Sequence, residues 1–351
     1  MKKVARTKEY EELVEKLKTG HVYTHGGPFD ADNVLSTALL NQVCDNEGIE
    51  IPEVHRLFDR DEAGTLAAEN VVYGIGGGEF DYHQKDNEVR DNGTPYASFG
   101  KLYRVAGEQL HGEFAQTFEK EFVQGIDECT TTERESMYDK MVRDMNPNWD
   151  ERFSWDEAFA NAVRLAEQTM NERVEEIYAG GDIGPDHLSQ IEQDIYEQGD
   201  ERKEASALAA EEKIQNAMEN DVFEVTGNDG TTYKVMNFDR PGVPYNKIEE
   251  MTEGTEFVGY TFPTREGYAF KPLDQEVLPV PEIWQGQSAE NLPEGINYCY
   301  EGGITVGCDS LESCQNAINE MVEINDQLIQ ESEQETAEES VSNMDEEDIA
   351  I

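Results

Sequence analysis

The sequence has few basic residues. Lys and Arg together number 27 against 77 Asp and Glu, which gives a formal net charge of −50. Because duplex binding depends on cationic contacts to phosphate, such a surface repels nucleic acid, and it repels anionic membranes as well. A nuclease of this composition would need metal ions or a local basic patch to bind its substrate. We interpret the acidity as a means of solubility or as a sign of a salty or acid-biased cellular setting.

The sequence also lacks long apolar runs and paired cysteines. No segment approaches the roughly 20 apolar residues of a transmembrane helix. The five cysteines include no Cys-x-x-Cys, which favours reduced thiols over a disulfide frame or a zinc knuckle. The N-terminal stretch MKKVARTKEYEELVEKLK has no apolar core, so it does not predict a signal peptide. We therefore expect a cytoplasmic protein with no membrane association.

Short apolar runs alternate with helical patterns in the first half of the chain. That alternation predicts an α/β fold in which a parallel sheet is flanked by helices. The predicted strands cover 22–24, 50–57 and 70–75, and the predicted helices cover 8–18, 34–43, 96–110, 113–145 and 153–178.

The second half changes character after a charged helix predicted over 187–220. From residue 221 the apolar pattern has period two, which predicts a smaller α+β domain. Its strands are expected at 222–226, 232–238, 256–262, 268–271, 297–300 and 303–306, before a closing helix over 311–329. The predicted organisation is an α/β domain (1–180), a helical connector (181–220), the α+β domain (221–330) and a disordered acidic tail (331–351).

One stretch, HVYTHGGPFDADNVLS at residues 21–36, places metal-ligand chemistry where a strand ends. A strand leads His25 into a Gly-Gly-Pro turn, and Asp30 and Asp32 follow before an apolar helix. Open α/β folds build their sites at this edge of the sheet. Carboxylates with one imidazole suit Mn²⁺ or Mg²⁺ better than zinc. An ordinary turn with an aspartate helix cap explains the stretch equally well.

Two later segments offer partners for this motif. After three glycines at 76–78 comes Asp81-Tyr82-His83, which forms either a flexible loop or a polar cluster facing the first motif. Asp127 follows an aromatic stripe that is typical of a helix core. Taken alone, Asp127 is better explained as a solvated charge.

Three separated pieces, in this order, resemble the Myg family of metal-dependent hydrolases. They are THGGPFDADNVLSTALL, VVYGIGGGEFDYHQKDNEVRDNGTPYASFGKLY, and EFVQGID with the later MNPNWD. The segments LPVPEIWQG and INYCYEGGITVGCDSLESCQNAI are similar to the family's closing region, so the resemblance covers about 20–320. This family is a branch of the DHH phosphoesterase superfamily, related to RecJ-like nucleases. The resemblance implies a two-metal phosphodiesterase, with 3′–5′ exonuclease activity on RNA or DNA in some members.

The resemblance also implies roles for individual residues. His83 would contact the scissile phosphate or protonate the leaving group, and Asp81 would orient it. The implied ligands for Mn²⁺ or Mg²⁺ are His25, Asp30, Asp32 and Asp127, and the implied phosphate-binding cations are Lys85, Arg90 and Lys101.

Two positions depart from the family pattern. Gly74 stands where a bridging aspartate is expected, and Tyr82 stands where a ligand histidine is expected. Since a bridging carboxylate holds two ions about 3.5–4 Å apart, its loss predicts one ion in place of two, or none. One hypothesis is therefore a weakened or altered hydrolase acting on nucleic acid or nucleotides. The other is a catalytically inactive relative that binds or regulates, and the joint loss of two ligands favours it over what the family alone implies. The oligomeric state cannot be read from the sequence.

Overall fold

Strands and helices alternate along the first part of the chain, as the sequence predicts. The computed structural model describes residues 5–149 and 154–347, with side chains as far as residue 330. Strand β1 (Val22–His25) pairs in parallel with β2 (Val54–Leu57) and with β3 (Val71–Val72). The sheet order in this part is β2-β1-β3. The helices are α1 (Lys8–Thr19), α2 (Ala31–Glu47), α3 (Arg60–Leu66), α4 (Ser98–His111), α5 (Ala115–Phe118), α6 (Gln124–Thr131), α7 (Met137–Asp144) and α8 (Trp155–Ala179).

Helices cover both faces of this sheet. Val22 and Val71 belong to the main core, which also contains apolar side chains of α2, α4 and α8. Val72 points the other way and packs with Ala63 of α3. Helix α2 is buried on nearly every side, as its continuous run of apolar and small residues requires. The predicted α/β class, a parallel sheet flanked by helices, is confirmed.

Strand β3 is shorter than the predicted 70–75. Tyr73 makes a single bridge to Phe80, and the strand ends there. Gly74, Gly76 and Gly77 then take φ angles of 68°, 86° and 71°, a left-handed region that ends a strand and that glycine adopts at little cost. The glycines therefore fold the chain back immediately beside the end of β1.

The predicted long helix over 113–145 is interrupted. A π turn spans Glu119–Val123 between α5 and α6, and residues 132–136 separate α6 from α7. A π turn adds one residue to the helical period, so it changes which side chains face the core. Near-helical spacing of aromatic residues could not reveal that extra residue.

The second part of the chain contains an extended mixed sheet. The elements of this part are α9 (Gln190–Asn220), β4 (Val222–Thr226), β5 (Thr232–Asn237), α10 (Tyr245–Thr252), β6 (Phe257–Pro263), β7 (Tyr268–Pro272), β8 (Ile296–Cys299), β9 (Val306–Cys308) and α11 (Leu311–Glu347). The strand order is β4-β5-β6-β7-β9-β8, with β5 and β6 parallel and the other neighbours antiparallel. Helix α11 contributes Cys314, Ile318 and Met321 to the core of this sheet.

The last helix extends beyond the expected 311–329. It continues to Glu347, through most of the segment for which the sequence predicted disorder. The segment is rich in Glu, which has high helix propensity, and it has no Pro or Gly to end a helix. Residues 348–351 of the predicted tail lie outside the described residues.

Contacts divide the chain into two units, Met1–Glu204 and Ala205–Ile351, so the division falls within α9. The predicted domain limits at 180 and 221 stay a prediction. All five cysteines are free and buried. Among the helices that the structure describes, none is both long and apolar enough to span a membrane.

Candidate functional site

His25 lies at the carboxyl end of β1, where the first motif was expected to form a site. The chain turns away immediately after it, and the Gly26 N–H donates to the Leu57 carbonyl of the neighbouring strand at 2.6 Å. Gly27 has a φ of 76°, so the turn uses a conformation that favours glycine. Asn146 fixes Phe29, two residues further on, because it accepts from the Phe29 N–H at 2.9 Å and donates to the Phe29 carbonyl at 2.7 Å.

Asp30 begins α2 as its N-cap. Its carboxylate accepts from the Asn33 N–H at 3.1 Å, and the Asn33 side chain accepts from the Asp30 N–H at 3.3 Å. This reciprocal pair satisfies two of the N–H groups that a helix start leaves unpaired. The aspartate cap proposed from the sequence is therefore present.

Asp32 is fully buried beside this cap. One carboxylate oxygen accepts from the Phe99 N–H at 2.6 Å, while Oδ2 has no hydrogen-bond partner within the described part of the chain. Burial raises the pKa of Asp32 well above its usual range, and the nearby Asp30 raises it further. Ser98 lies close enough to favour the anion, although the contact falls outside hydrogen-bond geometry. Asp32 thus carries a buried oxygen that a proton or a cation would stabilise.

Asp127 is also fully buried, but both of its oxygens are engaged. Oδ1 accepts from the Gly100 N–H at 3.0 Å, and Oδ2 accepts from Arg90 Nη2 at 2.7 Å. Arg90 also donates to Glu119 at 2.7 Å, and its guanidinium lies 3.9 Å from the centre of the Tyr96 ring. A Cβ at Gly100 would lie 1.8 Å from Asp127 Oδ2, so this arrangement requires glycine there.

The two buried aspartates meet at the N-terminus of α4. The N-cap residue of this helix, Ala97, has no side chain that could satisfy the first N–H groups. Two aspartates from distant segments cap the helix instead. Asp32 accepts from the Phe99 N–H and Asp127 accepts from the Gly100 N–H. Carboxylates at a helix N-terminus are also favoured by the helix dipole. The aspartates predicted as metal ligands therefore also stabilise this helix.

Asp81 and His83 form a hydrogen-bonded pair. His83 Nδ1 lies 2.8 Å from Asp81 Oδ1, and the N–H groups of Gly77 and His83 also donate to the Asp81 carboxylate. Burial would raise the pKa of Asp81, but the hydrogen bonds from His83 and Gly77 lower it to about 2. Lys101 Nζ donates to the Asp81 carbonyl at 2.8 Å and fixes the backbone. Asp81 is thus ionised and holds an exposed imidazole in one orientation.

Tyr82 and Gly74 occupy the positions where the family pattern predicts ligands. The Tyr82 ring stacks on His83 with 4.0 Å between ring centres. Burial raises the pKa of the Tyr82 phenol, and the charges of Asp32 and Asp30 raise it further, so the phenol stays protonated. A Cβ at Gly74 would lie 3.3 Å from Asn33 Nδ2, 3.5 Å from His25 Cδ2 and 3.6 Å from Ser98 Oγ. The Gly74 backbone is therefore packed closely against these three side chains.

The three predicted phosphate-binding cations have different environments. Lys85 is exposed, whereas the side chain of Arg90 is buried against Asp127. Lys101 is buried and donates to the Asp81 backbone, and burial lowers its pKa. Arg90 and Lys101 thus make contacts inside the protein, with Asp127 and with the Asp81 carbonyl. Their binding to a phosphate stays a prediction.

Asp139 on α7 was missed by the sequence reasoning. It is buried, accepts weakly from the Ala31 N–H at 3.5 Å, and forms an ion pair with Arg143 at 2.8 Å. Burial raises the pKa of Asp139 to about 6, against the lowering effect of Arg143. No local signal distinguished Asp139 from the many acidic residues of the chain, because its position beside Asp30 depends on tertiary packing.

Among the side chains described in residues 5–149 and 154–330, no group of three or more His, Cys, Asp or Glu lies in a geometry suited to a metal ion. The site nevertheless brings Asp30 and Asp32 together, with Asp127 near enough to raise the Asp32 pKa. A preformed two-ion cage does not fit the described residues. Mg²⁺ is commonly bound by one or two carboxylates with waters and substrate phosphate. A single ion at Asp32 and Asp30 fits the unpartnered Asp32 oxygen.

Comparison with known proteins gives one match. Residues 21–214, more than half of the chain, match the MYG1_exonuc family model, described as an uncharacterised protein family (UPF0160). The matched region begins before β1 and includes every residue of the site described above. No curated protein and no solved structure matches the chain.

Proposed function

The chain belongs to the MYG1_exonuc family, and on that premise we propose that it hydrolyses phosphodiester bonds at the ends of nucleic acid with one divalent ion. We place the ion, Mn²⁺ or Mg²⁺, at Asp32 and Asp30, beside His25. The proposal keeps the implied descent from the DHH phosphoesterases, the 3′–5′ exonuclease activity that the resemblance implies for some members, and the predicted cytoplasmic location.

The unpartnered oxygen of Asp32 is the observation that carries this proposal. A buried carboxylate oxygen without a donor is costly, and Asp30 adds a second negative charge beside it. A divalent ion would compensate both charges, with waters or a substrate phosphate as its further ligands. Asp127 contributes no ligand in this proposal, because Arg90 and Gly100 already engage its oxygens.

The residues of the site provide a proton donor. When bound, the metal would polarise the phosphate and lower the pKa of an attacking water. His83 would protonate the leaving oxygen from Nε2, because Nδ1 is engaged by Asp81. The ionised Asp81 holds the ring in this orientation. The Tyr82 ring stacks on the His83 ring and restricts the rotation of that imidazole.

A binding function without hydrolysis is the second candidate, and a separate observation favours it. Asp127, a metal ligand by the family resemblance, is instead held in an ion pair with Arg90 and is not free to bind a metal. Gly74 and Tyr82 likewise offer no carboxylate or imidazole. A site of this kind would recognise a nucleic-acid end or a nucleotide and would leave its phosphodiester bonds intact.

An oligonucleotide assay separates the two candidates. The purified full chain is incubated with short end-labelled RNA and DNA in Mn²⁺ or Mg²⁺, beside Asp32→Asn and, as a matched control, the exposed Asp86→Asn. Hydrolysis predicts stepwise shortening that Asp32→Asn abolishes and Asp86→Asn retains. His83→Gln should lower kcat by roughly 10²- to 10⁴-fold, the usual contribution of a general acid.

The outcomes have distinct consequences. Binding without shortening in either metal would support the second candidate and reject the first. Absence of both binding and shortening, together with no Mn²⁺ binding by calorimetry, would reject both. Shortening that persists in Asp32→Asn would move the metal away from the proposed position.

A further inference from the structure

An exposed phenylalanine lies directly beside the site. Phe58 follows β2 and is 82% exposed, although it is a large apolar side chain. Its ring lies against Gly26, where a Cβ would be 2.6 Å from the Phe58 Cζ atom. The same ring is 3.6 Å from the Cβ position of Gly27. One part of the ring therefore rests on the glycine turn that follows His25, and the rest of the ring faces solvent.

The backbone fixes this position of Phe58. The preceding residue, Leu57, accepts from the Gly26 N–H at 2.6 Å. The following residue, Asp59, caps α3 by accepting from the N–H groups of Asp61 and Glu62 at 2.8 and 3.0 Å. Phe58 thus stands between two restrained residues, and its exposure does not reflect a loose loop.

Arg60, the first residue of α3, lies close to the Asp81–His83 pair. Arg60 is two residues after Phe58, its side chain is 62% exposed, and Nη2 lies 3.7 Å from Asp81 Oδ2. The segment from Phe58 to Arg60 therefore touches both the turn after His25 and the Asp81–His83 pair. An exposed aromatic ring with a nearby exposed guanidinium matches the base and phosphate of a nucleotide.

We propose that Phe58 stacks against a nucleobase of the substrate, while Arg60 faces its phosphate backbone. This inference rests on the proposed function, whether the chain hydrolyses nucleic acid or only binds it. Base stacking does not require surface cations, since every base presents an aromatic face. It therefore gives this strongly acidic chain a contribution to nucleic-acid affinity that its charge does not oppose.

The test compares Phe58→Ala and Phe58→Trp with the unchanged chain. The matched control is Tyr178→Ala, an exposed aromatic on α8 that rests on Phe114, with ring centres 4.2 Å apart. Affinity is measured by fluorescence anisotropy with labelled oligonucleotides, each carrying one abasic position in turn. Phe58→Ala should raise Kd roughly 5- to 150-fold, the range observed for base–aromatic stacking. Tyr178→Ala should leave Kd unchanged.

Two further results are expected if Phe58 stacks on a base. The effect of Phe58→Ala should vanish for the oligonucleotide that is abasic at one particular position. Phe58→Trp should restore affinity, and its indole fluorescence should fall when oligonucleotide binds. Where hydrolysis occurs, Phe58→Ala should raise KM and leave kcat within about twofold, because stacking acts on the bound and transition states alike.

Other outcomes would overturn the inference. Unchanged affinity in Phe58→Ala, or an equal loss with every abasic oligonucleotide, would remove Phe58 from the binding surface and leave the proposed function standing. Self-association that only Phe58→Ala abolishes would assign the ring to a contact between copies. Failure of the unchanged chain to bind any oligonucleotide would reject the inference together with the proposed function.

Discussion

Replacement of Arg90 by methionine tests how the buried carboxylates of the site are held. Methionine keeps an unbranched stem and removes the guanidinium donors. Those donors reach Asp127 at 2.7 Å, Glu119 at 2.7 Å and the Pro95 carbonyl at 3.2 Å. The Arg90 side chain is 8% exposed and that of Asp127 is 0% exposed, so water cannot easily replace the lost contacts.

The expected cost follows from this burial. Removing one partner of a buried ion pair commonly costs about 3–5 kcal/mol, because the other charge stays buried without compensation. Burial already raises the pKa of Asp127 to about 7, and Arg90 lowers it. Loss of Arg90 should raise that pKa further, so Asp127 would keep its proton to higher pH. The cost in the free energy of unfolding should therefore be smaller in acid and grow as the pH rises through neutrality.

Urea unfolding with EDTA, followed by circular dichroism, provides the measurement. Arg104→Met is the matched control, because Arg104 is 48% exposed, pairs with Glu88 at 2.6 Å and lies 5.1 Å from the centre of the same Tyr96 ring. An exposed pair of this kind should contribute no more than about 1 kcal/mol. Equal losses in the two variants, or a loss for Arg90→Met that does not change between about pH 5 and about pH 8, would refute the reasoning.

The remaining predictions concern acid and salt. Hydrogen bonds from His83 and Gly77 lower the Asp81 pKa to about 2, although burial opposes this shift. The ionised Asp81 therefore stabilises the fold at any pH above the pKa that Asp81 has in the unfolded chain, and this stabilisation is lost as the pH falls towards 2. Asp81→Asn should therefore lower the free energy of unfolding by about 2 kcal/mol near neutrality and by little in strong acid. A difference in urea midpoint between the variant and the unchanged chain that does not vary with pH would contradict this. Because the net charge is −50, salt should screen the repulsion between acidic side chains, and the melting temperature should rise between about 0.05 M and about 1 M KCl. Sucrose is the uncharged control. A melting temperature that stays constant or falls with KCl would contradict a destabilising role of this repulsion.

Local parts of the site could be predicted from the sequence. Helix α1 was expected over 8–18 and spans Lys8–Thr19, because its apolar face is visible in the spacing of four residues. The start of α2 was also visible, since an aspartate before an apolar helix is a common N-cap. Both features depend on residues within a turn or two of one another, and such patterns are present in the linear chain.

The second function of Asp32 and Asp127 could not be predicted, because it depends on distant segments. Asp32 meets Phe99 from 67 positions away, and Asp127 meets Gly100 from 27 positions away. One signal was available: the helix predicted from residue 96 has no capping residue at Ala97. A helix start without its own cap implies that other groups satisfy its N–H donors.

A π turn precedes Asp127 and interrupts the regular helical spacing of the residues before it. Phe118, Phe122 and Ile126 are spaced as on one helix face, and all three are buried. The π turn at Glu119–Val123 lies between the first and last of them and displaces the residues that follow. Asp127 directly follows Ile126 and is buried as well, whereas taken alone it was better explained as a solvated charge.

The N-terminus of α4 explains why the site can keep its carboxylates together. Asp32 and Asp127 each give one oxygen to a backbone N–H of this helix, and they differ in the second oxygen. Arg90 satisfies that of Asp127, while that of Asp32 has no partner among the described residues. Charge compensation is thus complete on one side of the site and incomplete on the other. An added cation would gain most at Asp32, where Asp30 supplies a second carboxylate, and least at Asp127, where it would have to displace a guanidinium.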